Sequence, residues 1–142
     1  MELSQGIAAG LVAGVVMGAL SELGFRCHVF RSSLLTIDGS FLLERLKVRD
    51  APVLMYVTGA VLHLLTSAIF GLVYAIGSYF LGVDPSSVLT VSIYVVLLWV
   101  AMLFCALPMA GAGFMGRKLG RNTWVEQLAL HIVFGASFWS MW

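Results

Sequence analysis

A chain of 142 residues that is 61% apolar and only 11% charged, with a formal net charge of +1, lies outside the range of soluble domains. So few charged side chains cannot cover the surface of a water-soluble fold, and there is no basic excess of the kind that binds nucleic acid. A mean hydropathy of +1.00 points to a lipid bilayer as the chain's solvent.

Four continuously apolar stretches follow one another at residues 3–25, 52–81, 87–111 and 123–142. About 20 residues of helix cross a hydrocarbon core of ~30 Å, so each stretch is long enough to span. Barrel strands are excluded, because the stretches do not alternate and are about twice the length such a strand needs. The expected fold class is all-α: a polytopic membrane protein with four transmembrane helices in a single domain covering residues 1–142.

The first stretch is preceded by no Lys or Arg and followed by several, the reverse of a signal peptide, so a retained helix is expected. Gly6, Gly10, Gly14 and Gly18 recur at the four-residue spacing of a glycine zipper, with Ala9 and Ala13 beside them. Small residues so spaced let another helix backbone approach closely where no hydrophobic effect drives association. That neighbour can belong to this chain or to another protein. Glu22 precedes Arg26 by four residues, the favourable order for an ion pair on a helix. Lying nearly a turn inside the apolar run, it is also a candidate proton or substrate site.

Residues 26–51 carry Arg26, Arg31, Arg45, Lys47 and Arg49. Within them, residues 40–49 mix apolar and basic side chains, as an amphipathic helix lying in the membrane interface does. Cys27 and His28 lack the further donors a closed metal site needs, and both Cys27 and Cys105 are expected as free thiols. Asp50 is positioned to cap the second stretch, which has Pro52 in its first turn and presents Gly59, His63, Ser67, Gly71 and Tyr74. Asp84-Pro85 reads as the N-cap and first helical residue of the third stretch. There, Met102, Cys105 and Met109 at helical spacing read as packing rather than as a copper site. Residues 112–122 hold Arg117, Lys118 and Arg121. Thr123-Trp-Val-Glu126 then reads as a capping box opening the fourth stretch, which presents Gln127, His131, Gly135, Trp139 and Trp142.

All eight Lys and Arg residues therefore fall in two loops. The positive-inside rule puts residues 26–51 and 112–122 in the cytoplasm and both termini outside. Tyr56 and Trp124 then fall near the inner interface and Tyr79, Trp139 and Trp142 near the outer one, whereas Trp99, midway along its stretch, is expected to pack between helices.

When His63 and His131 are aligned, the second and fourth stretches share the pattern His-x3-small-x3-(Gly or Trp)-x2-aromatic. The chain thus reads as two copies of one helical hairpin. With the glycine-rich first helix, these motifs resemble uncharacterised families of small bacterial four-helix inner-membrane proteins. The matching residues are Gly6–Gly18, His63-Ser67-Gly71-Tyr74 and His131-Gly135, and Ser67 and Trp139 stand where a glycine is expected. The resemblance implies a bacterial inner membrane but no activity.

His63 and His131 are the main candidate site residues, because ionisable groups inside a membrane are costly and tend to mark function. They can be satisfied by backbone carbonyls, form an intramembrane polar path with Glu22, or act as the two axial ligands of a b-type haem, with Gly59, Ser67, Gly71 and Gly135 making room. No catalytic constellation is found and an enzyme is not expected. The leading expectation is an accessory or scaffold subunit packed against a larger membrane complex, respiratory or photosynthetic, through a helix-packing face of Gly6, Gly10, Gly14, Gly18, Gly71 and Gly135. The alternatives are a small proton-coupled transporter acting as an oligomer and a bis-histidine haem electron carrier. The partners expected are the lipid bilayer and other membrane subunits or further copies of the chain, with no nucleic acid.

Overall fold

The computed structural model describes residues 3–48 and 52–142, and all regular structure among them is helical. In chain order there are α1 (Leu3–Arg26), α2 (Leu34–Arg45), α3 (Pro52–Leu81), α4 (Val88–Ala101), a π-helical turn (Met102–Ala106), α5 (Leu107–Met109), a 3-10 turn (Phe114–Gly116) and α6 (Thr123–Trp139). Three stretches, Leu3–Arg26, Pro52–Leu81 and Val88–Met109, are long and apolar enough to cross a membrane. The fourth is shorter than expected: α6 has 17 residues and stops at Trp139. That is about 25 Å of helix, less than a ~30 Å core. The capping role expected of Asp50 lies outside the described residues.

α1 and α3 run antiparallel with their backbones in contact. A Cβ on Gly6 would meet the Gly71 carbonyl oxygen at 2.6 Å, and one on Gly10 would strike the Ser67 carbonyl oxygen. Further along, Gly14 faces the Ser67 side chain and Gly18 the His63 ring. The glycine face of α1 is therefore filled by a helix of the same chain. Beside that face, Ala9 and Ala13 are fully buried in a core shared with Tyr74, Val95, Phe134 and Phe138. Gly135 of α6 packs against Val95 of α4.

The segment after α1 folds back on that helix. His28 takes the left-handed conformation (φ 59°) that closes α1, and the Val29 N–H bonds the Gly24 carbonyl at 2.8 Å. Ser33 then caps α2, its hydroxyl accepting from Leu35 N at 3.2 Å. The fully buried Ser21 hydroxyl accepts the Leu34 N–H at 2.9 Å, and Ser33 donates to Glu22 at 2.7 Å. The helix expected at residues 40–49 in the interface thus starts at Leu34 and ends at Arg45, with Leu34, Ile37, Gly39 and Leu43 buried. It is held on α3 by two close backbone approaches, Gly39 to the Met55 carbonyl and Gly59 to the Leu35 carbonyl. Leu, Ile and Gly on one face favour packing over surface binding, and Arg45 lies over the Phe41 ring at 5.0 Å. Because Ser21 satisfies a buried N–H at the first turn of α2, Ser21→Ala is expected to cost about 1 kcal/mol. The check is a lower midpoint of thermal unfolding in detergent, together with faster proteolysis of residues 27–33.

Two expected caps form differently. Asp84 accepts from Ser86 N at 2.9 Å and from Ser86 Oγ at 2.7 Å, closing a turn ahead of α4, whose N-cap is Ser87. Asn122, not Thr123, precedes α6; Thr123 donates to the Gly120 carbonyl, and Glu126 reaches across to Arg31 N at 3.2 Å instead of closing a capping box. A local cap has given way in one case to a turn and in the other to a contact between a loop and a helix.

The third apolar stretch is interrupted by Pro108. Proline has no N–H to give the Phe104 carbonyl and its ring clashes there, so the ladder widens and Leu107 N–H bonds Met102 O, five residues back. Trp99 donates to Trp124 O at 3.2 Å, so it sits level with the first turn of α6.

One end of the bundle gathers both basic loops: the Arg31 side chain lies against Gly120, and its N–H bonds Glu126 at the start of α6. The other gathers the two ends of the chain, where Gln5 donates to Met141 O at 2.8 Å. At this terminal end Tyr74 is packed by the rings of Tyr94 and Phe138 (5.0 Å each) and Trp142 (5.6 Å). Tyr74 Oη and Trp139 Nε1 donate to the carbonyls of Pro85 and Ser86, which pins the α3–α4 connection.

Candidate functional site

α3 and α4 follow each other in the chain yet hardly touch, since α3 is packed on α1 and α2 and α4 on α6. Toward the terminal end, Tyr94 Oη bridges them by donating to Phe70 O at 2.7 Å. Between that bridge and the basic loops lies a cavity of about 380 Å³, within the range of small-molecule sites. Met17 of α1 and Phe134 and His131 of α6 form its back wall, while Leu34, Ile37, Asp38 and Phe41 of α2 bound it from the loop side. Phe70, Ala101, Cys105 and Met109 stand on its wall and are exposed, so the cavity opens on the flank between α3 and α4. The π-helical turn supplies Met102, Cys105 and Ala106 to this wall.

The lining is apolar except for a few groups whose hydrogen bonds define their state. His63, 8% exposed, has Nε2 at 3.0 Å from the Gly14 carbonyl oxygen. A carbonyl only accepts, so Nε2 carries a hydrogen. Nδ1 of the same ring lies 3.4 Å from Asp38 Oδ2. A neutral ring with its hydrogen on Nε2 would bring a bare nitrogen against a carboxylate, two acceptors facing each other. Protonation of the ring would turn the contact into an imidazolium–carboxylate ion pair. His63 and Asp38 thus set an ionisable pair on the cavity wall.

His131 is the second polar feature. Its Nδ1 is 2.8 Å from the Gln127 carbonyl, which fixes a hydrogen on Nδ1 and leaves Nε2 a lone-pair acceptor with no protein partner among the described residues. Thr66 and Ser67 direct their hydroxyl hydrogens onto the His63 carbonyl at 2.9 and 2.8 Å, so they too present only lone pairs.

The residues singled out from sequence are distributed unevenly around this site. His63 and His131 both line the cavity. Glu22 does not: its two oxygens are taken by Arg26 Nε and Ser33 Oγ, each at 2.7 Å. Gly6, Gly10, Gly14 and Gly71 lie in the α1–α3 contact, Gly18 against His63, and Gly135 against α4.

A bis-histidine haem does not fit these residues. Both nitrogens of His63 are engaged, and the space expected beside Gly59, Gly71 and Gly135 is filled by Leu35, Gly6 and Val95 respectively. Among the described residues, no group of three or more His, Cys, Asp or Glu side chains could hold a metal ion.

Asp38 is the site residue that sequence reasoning missed. The available signal was one acid flanked by Leu34, Leu35, Ile37, Phe41 and Leu42, an unusual setting for a solvated loop carboxylate.

Comparison with protein-family models, with curated proteins and with solved structures gives no match.

Proposed function

We propose that the chain is a four-span protein of the bacterial inner membrane that admits an apolar molecule sideways into the α3–α4 cleft and carries it in exchange for protons. The observation that carries this reading is the flank-opening cavity with the His63–Asp38 pair on its wall. Apolar solutes dissolve in the bilayer and reach such a mouth without crossing the headgroup layer. A proton held beside the bound molecule is the minimum needed to couple its movement to a pH gradient.

In this reading α6 is the fourth span, completed by residues 140–142 and by local thinning of the bilayer. Residues 26–51 and 112–122 are cytoplasmic and both termini are outside, in keeping with the gathering of the basic loops at one end of the bundle. A two-hairpin repeat is supported by the histidines lining one cavity and by Tyr74 and Trp142, each eleven residues past its histidine, meeting at 5.6 Å.

A second reading, an accessory subunit of a larger complex, loses the argument from the glycine face of α1, which is occupied by α3. It keeps exposed apolar surface, such as the stripe at four-residue spacing of Val53, Val57, Val61, Leu65, Ile69 and Val73 on α3. Native mass measurement in mild detergent separates the two, since a carrier needs only copies of itself.

The test of the carrier reading is uptake of apolar fluorescent dyes by proteoliposomes under an imposed pH gradient. Flux above that of empty liposomes is expected, and it should fall to background when the cleft is filled by Ala106→Phe. Equal flux in the filled variant contradicts the reading. Orientation is checked through the exposed Cys27. In a Cys105→Ala background, a membrane-impermeant maleimide is expected to label Cys27 in inside-out vesicles and not in intact cells.

A further inference from the structure

We propose that the cargo is a lipophilic amine, an apolar chain or ring system ending in an ammonium group, and that the ammonium displaces the proton held between His63 and Asp38. This rests on the cleft being a carrier site and adds the class of molecule carried.

The polar inventory of the cavity selects the headgroup. Among the described residues its wall holds one carboxylate, Asp38, and no Lys or Arg. His131 offers a bare Nε2, and Thr66 offers lone pairs because its hydrogen is spent on its own helix. Apart from the weakly donating Cys105 thiol, the fixed groups facing the cavity are thus acceptors, and the strong donor is the proposed shared proton. An ammonium group brings three donors and a positive charge to this set. A carboxylate or phosphate head would face Asp38 with no cation on the wall to compensate.

The tail alone cannot select the cargo. An apolar chain leaving the bilayer for an apolar cleft gains almost nothing, since lipid tails are as apolar as the wall. Discrimination therefore falls on the head, and the one charged group available to read it is Asp38.

The proton count follows from the proposed pairing of His63 with Asp38. With Nε2–H committed to Gly14 O, the His63–Asp38 contact needs a proton only while nothing else neutralises the carboxylate. When an ammonium moves against Asp38, His63 can release its Nδ1 proton and remain a neutral ring still bonded to Gly14. One positive charge enters and one leaves, so the site's charge is unchanged. The other titratable groups facing the cavity are His131 of α6 and the Cys105 thiol of the π turn; α1 contributes none, presenting Met17 to the cavity and Gly14 and Gly18 to the His63 ring.

The experiment is calorimetric titration of the full chain, in nanodiscs of zwitterionic lipid with empty nanodiscs as blank. The probes are dodecylamine, dodecanol and dodecanoate, each in two buffers of different protonation enthalpy. Dodecylamine is expected to bind about 30-fold more tightly than dodecanol, as for a desolvated charge contact. It should release about one proton per molecule, and both effects should vanish in Asp38→Asn, whose fold is checked by circular dichroism. Dodecanol or dodecanoate binding as tightly as the amine, with Ala106→Phe abolishing it, overturns the amine assignment and leaves the cleft intact. Amine binding without proton release overturns the exchange. If no probe binds beyond the blank, or Ala106→Phe binds all three like the unaltered chain, the cleft reading fails as well.

Discussion

Replacing Asp38 with asparagine is expected to reduce pH-driven flux to the level of empty liposomes while leaving the protein folded. The expectation follows from what each partner of the pair can do alone. Removing one member of a buried ion pair costs about 3–5 kcal/mol when the other charge is stranded. His63 is not stranded: it can give up its proton, keep Nε2–H on the Gly14 carbonyl, and accept at Nδ1 from the asparagine amide. The thermal midpoint of Asp38→Asn should therefore stay close to that of the unaltered chain. His63→Leu has no such escape, because it leaves the partly exposed Asp38 carboxylate facing an apolar wall, and a lower thermal midpoint than that of Asp38→Asn is expected. Flux assays and detergent melts of the two variants, run side by side, check the asymmetry. Retained coupling in folded Asp38→Asn would remove the pair from any role in transport.

The second large effect is on the fold. Gly71→Leu is expected to destabilise the chain by about 3 kcal/mol or to prevent α1 from docking on α3. A Cβ at Gly71 strikes the Gly6 carbonyl oxygen and comes within 3.0 Å of the Gly10 Cα. All of these are backbone atoms, so relief requires the two helices to move apart. Gly77 on the same helix supplies the control, since a Cβ there meets nothing within 4 Å. Gly77→Leu should be neutral or gain up to about 1 kcal/mol from helix propensity. Unfolding in a denaturing detergent series, with both variants purified identically, measures the difference. Equal behaviour of the two would mean that the α1–α3 backbone contact does not hold the bundle.

The parts of this architecture legible in the sequence are those set by local periodicity. Gly6, Gly10, Gly14 and Gly18 repeat at one helical spacing and so describe a close-approach face, although only the folded chain supplies Gly71 and Ser67 as what fills it. His63 and His131 are recognisable because an ionisable ring stands out against an apolar run. Asp38 was not legible as a site residue, since its meeting with His63 depends on the segment after Arg26 turning back toward Ser21 and Glu22. The same fold-back explains why α2 begins at Leu34, where Ser33 caps it, and not in the basic residues that suggested an interfacial helix. The caps at Asp84 and Thr123 follow local rules that inter-element hydrogen bonds override, Ser86 in one case and Arg31 in the other. Pro108 lies inside a stretch that reads as continuous in the sequence, and its consequence shows only in the fold. A widened turn that aims Met102, Cys105 and Ala106 at the α3–α4 gap is a property of three helices together.

Entry of an apolar amine through the flank between α3 and α4 is tested most directly by photolabelling. An alkyl amine bearing a diazirine near its tail is equilibrated with proteoliposomes, irradiated, and its attachment sites are mapped by mass spectrometry. Label concentrated on residues 62–70 and 98–110, displaced by excess dodecylamine and lost in Ala106→Phe, is the predicted result. Label spread over the exposed stripe of Val53, Val57 and Val61 to the same extent as over the cleft, and unchanged by Ala106→Phe, would contradict it.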